Sequence, residues 1–175
     1  MKELLIDEKL NPAKMAAILR NKEGLNNASI GFGNEKALNQ LLAHHSIIFK
    51  PEQLLVWVSS NPYQLGEYVA YDLNNIFNSK KVIKFETVGT NELNIPIDLF
   101  MYTDEFVSYE KYRALDIEIN ALLENKREIS EETIKFYQKS NSDLWIVYYK
   151  IGNYYYDKGW LQAAKIQFEK ALTKE

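Results

Sequence analysis

The sequence predicts an α+β chain in which a turn-rich first part carries a β-hairpin, a third strand and short helices, and a helical tail follows. Two observations carry this. All four prolines (Pro12, Pro51, Pro62, Pro96) and five of the seven glycines lie before residue 97, leaving only Gly152 and Gly159 beyond it. Because Pro and Gly mark turns and break helices, the first part should be mixed and the second helical. The second observation is a change of period. Nearly continuous apolar, β-rich runs between residues 45 and 58 give way after Thr103 to apolar residues recurring every three to four positions. The expected organisation is therefore an α+β region over 1–98 and a helical region over 99–175.

In chain order, Asn11-Pro12 reads as an N-cap with Pro at the first helical position, opening a helix through Ala13, Met15, Ala16, Ile18 and Leu19. Residues 21–34 form a loop punctuated by Gly24, Gly31 and Gly33, and a short apolar helix is expected over Ala37–Leu42. His45-Ser46-Ile47-Ile48-Phe49 and Leu54-Leu55-Val56-Trp57-Val58, joined by Lys50-Pro51-Glu52-Gln53, give a hairpin signal. Both runs are so uniformly apolar that coverage on both faces is expected. Asn61-Pro62-Tyr63 turns the chain into a third strand, Tyr68–Tyr71. Val82–Phe85 reads as an edge strand or a helical turn, and Gly89–Asp98 as a connector.

In the tail, Phe106, Tyr109, Tyr112, Leu115, Ile119, Leu122 and Leu123 outline one amphipathic helix. Ser130 followed by Glu131-Glu132 is a cap and acidic first turn for a second helix running to Lys139. A third should start at Ser142 or Asp143 and run to about Asp157. A fourth follows Lys158-Gly159, over Leu161–Leu172.

Composition narrows the chemistry. Apolar residues make up 46 % of the 175, enough for a packed core. A net charge of −3 and a pI near 5.6 argue against a nucleic-acid or anionic-membrane surface. The chain has no cysteine and only two histidines, the adjacent His44 and His45. That excludes disulfides, thiolate metal sites and a thiol nucleophile within it, and leaves little for a histidine-rich metal or acid–base site. Gly31-Phe32-Gly33-Asn34 precedes an expected helix but lacks the third glycine of a dinucleotide fingerprint and the Gly-Lys-Ser/Thr of a phosphate loop. Neither a metal nor a cofactor is expected. His44 and His45, if both in a strand, would point to opposite faces, and Ser46 is too close in sequence to His45 for a good nucleophile–base pair. No segment reads as a signal peptide or membrane span.

Two stretches resemble known families. From Trp145 the sequence runs WIVYYKIGNYYYDKGWLQAAKIQFEKAL, and Tyr148, Ile151-Gly152, Tyr155, Gly159, Ala164, Phe168 and Ala171 stand at the spacing of a tetratricopeptide repeat. The resemblance implies a helix pair over 142–175, with Gly152 and Ala164 allowing close approach and the aromatics filling the groove. Read functionally, Tyr148 and Tyr155 would line a peptide groove; read structurally, they pack the pair. One repeat is present, whereas about three normally make a continuous core.

Asn26–Phe77, NNASIGFGNEKALNQLLAHHSIIFKPEQLLVWVSSNPYQLGEYVAYDLNNIF, resembles the C-terminal part of the isopenicillin-N acyltransferase-like family, in the choloylglycine hydrolase superfamily of N-terminal-nucleophile hydrolases. Its most distinctive portion is Pro62-Tyr63-Gln64-Leu65-Gly66 through Leu73. The resemblance implies strands from one sheet of an αββα sandwich. It also implies a parent that transfers or hydrolyses an acyl group at an amide bond, through a cysteine freed by self-cleavage. No cysteine stands in this chain, so the expected role is a catalytically incomplete C-terminal portion, with no catalytic residue of its own. Asn26, Asn27, His45 and Ser46 are the candidate pocket or support positions. The expected partners are the missing N-terminal half and a second copy joined through an exposed strand edge. The alternative is a non-catalytic interaction module acting through the helix pair.

Overall fold

The computed structural model describes residues 10–78 and 89–175 and shows a mixed α+β chain. It contains a three-stranded antiparallel sheet and six helices among the described residues, with the C-terminal part mostly helical. The expected strand or turn at Val82–Phe85 lies outside the described residues. The chain divides into two compact units: residues 1–22 with 38–101, and residues 23–37 with 102–175.

The first unit is built on the sheet. Strands β1 (Ile47–Lys50), β2 (Leu55–Ser59) and β3 (Tyr68–Asp72) lie in the order β1-β2-β3. A tight turn over Pro51–Gln53, with Leu54 in the left-handed region at φ 54°, closes the β1–β2 hairpin. Register sets Ile48 opposite Trp57 and Trp57 opposite Ala70, so these three share one face. That face carries the core: Ile48, Trp57, Tyr68 and Ala70 are buried with Ile95 and with Ala16 of helix α1 (Pro12–Leu19), and Met15, Leu19 and Leu55 pack against them. Burial of each large apolar side chain of this kind contributes about 1.5–3 kcal/mol. Helix α1 starts where its sequence signals, the Asn11 side chain accepting from the Lys14 amide at 2.8 Å. Helix α2 (Leu73–Asn78) continues directly from β3.

Three local expectations are corrected here. Residues 37–42 form turns rather than a helix, because Leu41 sits at φ 51° and its amide donates to the Asn39 side chain at 2.9 Å. β1 begins at Ile47, so His44 and His45 precede it. The second face of the sheet is also only partly covered among the described residues: Ile47, Phe49, Val56, Val58, Val69 and Tyr71 share it, Ile47 and Phe49 are exposed, and the other four are half-buried. A run of apolar residues satisfies both faces chemically, whether or not something lies over the second.

The second unit holds α3 (Asp104–Glu124), α4 (Glu131–Ser140), α5 (Trp145–Asp157) and α6 (Leu161–Lys174). Thr103 and Ser130 cap α3 and α4 through their side chains. Tyr109, Tyr112 and Ile119 are the buried stripe of α3, as its periodicity predicts. Helix α5 starts from Leu144 without a side-chain cap, later than Ser142 or Asp143 would set it. The Asp143 carboxylate is engaged elsewhere, accepting from Lys174 and Ser29 at 2.6 and 2.8 Å, and the Ser142 carbonyl accepts from the Tyr148 hydroxyl at 2.9 Å. Gly159, at φ 76°, turns α5 into α6. The two helices then approach so closely at Gly152 that a β-carbon there would stand 2.5 Å from the Phe168 ring.

Residues 23–37 belong to this helical unit for specific reasons. The Asn141 amide imitates a backbone partner for Phe32, accepting from its N–H at 3.0 Å and donating to its carbonyl at 2.7 Å. Gly31, at φ 77°, lies where a β-carbon would meet the Leu144 amide nitrogen at 2.4 Å. Phe32 meets Tyr109 edge-on at 6.2 Å.

Candidate functional site

In the sheet unit, the densest polar cluster surrounds the turn from Asn61 to Gly66. Tyr63 and Gln64 both lie in the left-handed region, at φ 48° and 57°, and Gly66 leaves room for nothing larger, since a β-carbon would sit 2.3 Å from Ser60 Oγ. Arg20, at the end of α1, holds this turn. Its guanidinium donates to the carbonyls of Gly66 at 2.7 Å, Pro96 at 2.9 Å and Gln64 at 3.4 Å, and lies 5.0 Å from the Tyr68 ring centre. The Gln64 amide returns a bond to the Leu19 carbonyl at 3.0 Å, and Asn39 donates to the Tyr63 carbonyl at 3.2 Å. Burial lowers the Arg20 pKa from its ordinary value, with Asp98 and Tyr68 opposing that shift. Every buried side-chain nitrogen and oxygen among the described residues has a partner. The cluster therefore acts as a clamp that fixes a strained turn, its donors and acceptors already matched.

Ser46 sits beside this clamp. Its hydroxyl bonds the Tyr68 hydroxyl and its amide donates to Ser59 Oγ at 2.7 Å. Burial raises the Tyr68 pKa, while the Ser46 bond and Arg20 oppose that rise. A phenol held neutral is a donor or acceptor and offers no general base to Ser46 at neutral pH. His45, the neighbouring candidate, is exposed. Ser46 thus ties the start of β1 to β2 through Ser59 and to β3 through Tyr68.

Asn26 and Asn27 fall in the helical unit. They are exposed, and both occupy the left-handed region, at φ 56° and 58°. They form part of a short turn, Leu25–Asn27, of the kind asparagine adopts at low cost. The four candidates are thus two pairs, one in each unit.

The helical unit has its own polar network. The Asp116 carboxylate on α3 accepts from the Tyr137 hydroxyl of α4 at 2.5 Å, from Lys150 of α5 at 2.6 Å and from Asn120 at 3.2 Å, while Lys150 also donates to the Asn120 side chain at 2.9 Å. Tyr112 stacks on Tyr137 at 5.6 Å. Burial first, and Asp116 next, push both phenols upward. Three helices are cross-tied at one carboxylate. Spacing along α3 could not reveal this, because the partners lie on other helices.

Of the expected groove tyrosines, Tyr148 is buried, its hydroxyl spent on the Ser142 carbonyl. Tyr155 is half-buried and packs against Trp160 at 5.7 Å, and Trp160 is 55 % exposed. A separate groove of about 560 Å³ runs between α3 and α4, lined by Lys111, Leu115, Thr133, Phe136 and Lys139 among others. None of the sequence candidates lies in it.

Among the described residues no group of three or more His, Asp or Glu side chains is arranged to hold a metal ion, and no helix is long and apolar enough to cross a membrane. Comparison with family models, curated proteins and solved structures gives no match.

Proposed function

We propose that this chain is a catalytically incomplete portion of an amide-bond acyltransferase or amidohydrolase of the N-terminal-nucleophile type, similar to the isopenicillin-N acyltransferase-like family. The residues from Asn26 to Phe77 carry the resemblance, and one observation supports it physically. The sheet has α1 on one face and an apolar opposite face on which Ile47 and Phe49 are exposed and Val56, Val58, Val69 and Tyr71 half-buried. In this reading the sheet would be one half of an α-β-β-α arrangement, its partly covered apolar face suiting a second sheet stacked about 10 Å away.

In this reading the second sheet and the nucleophile come from the N-terminal half. A cysteine there, with its freed α-amino group as base, would attack the amide carbonyl, form a thioester and release the amine. The acyl group would then pass to water or to another amine. The present chain would supply the clamped turn and the sheet that support this centre.

The test is to read the coding frame upstream of Met1 and to assay the joined polypeptide on acyl amides. A cysteine at a processing site, with amide cleavage lost in its Cys→Ser variant, is the expected result. A stop codon or an unrelated domain contradicts it.

A second reading is a non-catalytic module binding a peptide through the tetratricopeptide-like pair α5–α6. The exposed Trp160 beside Tyr155 and Tyr154 favours it, as an aromatic surface suits extended peptides. An unrelated upstream domain would leave this reading standing alone.

A further inference from the structure

The two edges of the sheet are treated differently. Along the outer side of β3, Tyr68 exchanges both backbone bonds with Ile95, the Ala70 carbonyl accepts from Thr90, and its N–H donates to the Asn94 side chain. That edge is closed. On the other side, the Ser59 amide donates to the Ser46 carbonyl at 3.0 Å, which fixes the alternation of the ladder: residues 46, 48 and 50 face β2, and Ile47 and Phe49 direct their N–H and C=O outward. Among the described residues nothing pairs with those outward groups. Ile47 and Phe49 are 43 % and 65 % exposed. An apolar groove of about 440 Å³, lined by Leu10, Met15, Leu19 and β1, runs along the same edge.

We propose that β1 is a self-pairing edge, at which two copies of this chain join antiparallel with Ile48 opposite Ile48. The register follows from the strand's own residues. Centred on Ile48, a two-fold axis normal to the sheet sets Ile47 of each copy opposite Phe49 of the other. All four outward backbone groups of each strand then find partners, and two aliphatic–aromatic cross-strand pairs form. Lys50, the strand's one charge, meets Ser46 rather than itself. Neighbouring registers are worse. Centring on Phe49 sets Ile47 against Pro51, which has no N–H to give. Centring on Lys50 opposes two ammonium groups, and centring on Ile47 draws in His45 from outside the strand. A second copy is therefore an occupant that the edge fits without any change of sequence, and it extends the sheet to six strands. The inference concerns the edge and stands apart from the acyl-transfer reading, which concerns the face.

The absence of cysteine makes the test clean, since an introduced thiol can bond only another introduced thiol. Mixed Ile47→Cys and Phe49→Cys full-length chains should give the mixed disulfide on mild oxidation, because opposed Cα atoms lie about 5.5 Å apart. Phe49→Cys alone should give little, its diagonal separation exceeding about 7 Å. Without oxidation, light scattering should show the mass rising from 20.4 kDa towards twice that with concentration. Ile47→Pro should abolish the rise, since it removes an outward N–H while leaving the bonds to β2. A monomer at all concentrations, a Phe49 homodisulfide as the main product, or association that survives Ile47→Pro in a chain with unchanged circular dichroism would each overturn the pairing. A persistent monomer would leave the edge to a strand from a different polypeptide.

Discussion

At the scale of single residues, the side chains that organise this protein are polar ones with several backbone partners. Arg20 holds three carbonyls and Asn141 imitates a strand partner for Phe32. Neither was legible in the sequence. Each acts on segments 44 to 109 residues away, and no local pattern announces such a bond. What was legible at this scale were the caps, Asn11 and Ser130, whose chemistry is spent within three residues. Tyr112 and Tyr137 support a prediction about pH. Burial with Asp116 alongside raises both pKa values, so the fold favours the neutral phenols. Their contribution is complete below the unfolded value near 10 and is lost as pH rises towards the folded values. In an alkaline titration, the last tyrosinate absorbance should appear together with the loss of helical circular dichroism. Complete ionisation of the tyrosines with the helices intact would refute this.

At the scale of elements, periodicity and punctuation located α1, the hairpin, the third strand and the four long helices to within a few residues. They failed where a backbone bond was replaced by a side chain. Residues 37–42 have helical composition, yet Asn39 captures the Leu41 amide and turns the chain. Residues 21–34 read as a loop of the first region, whereas residues 23–37 belong to the helical unit, held there by the close approach at Gly31. The α5–α6 pair depends on a close approach at Gly152. Gly152→Leu would push a side chain into the Phe168 ring, and the expected loss is about 1–3 kcal/mol of unfolding free energy, read by denaturant titration. An unchanged midpoint would mean that α6 can move away freely.

At the scale of the whole molecule, one half of the sheet's chemistry was read correctly and the other half was not. Continuous apolar strands implied cover on both faces. The core face has it, whereas the row Ile47–Val58–Val69 and the row Phe49–Val56–Tyr71 are only partly covered among the described residues, with Ile47 and Phe49 exposed. Sequence alone cannot tell a face that is covered from one that needs covering, because both call for the same residues. The candidate site was less legible than the fold. Of its four expected residues Ser46 reaches the clamped turn's surroundings through Tyr68, while Arg20, Gln64 and Asn39 went unforeseen. In the proposed function this chain is the non-nucleophilic part of a larger acyl-transfer protein. Its most direct test is the intact mass and N-terminal sequence of the polypeptide that carries these residues in its native cell. The expected result is a mass well above 20.4 kDa and a mature N-terminus that is cysteine. A mature polypeptide of 20.4 kDa beginning at Met1 would contradict it.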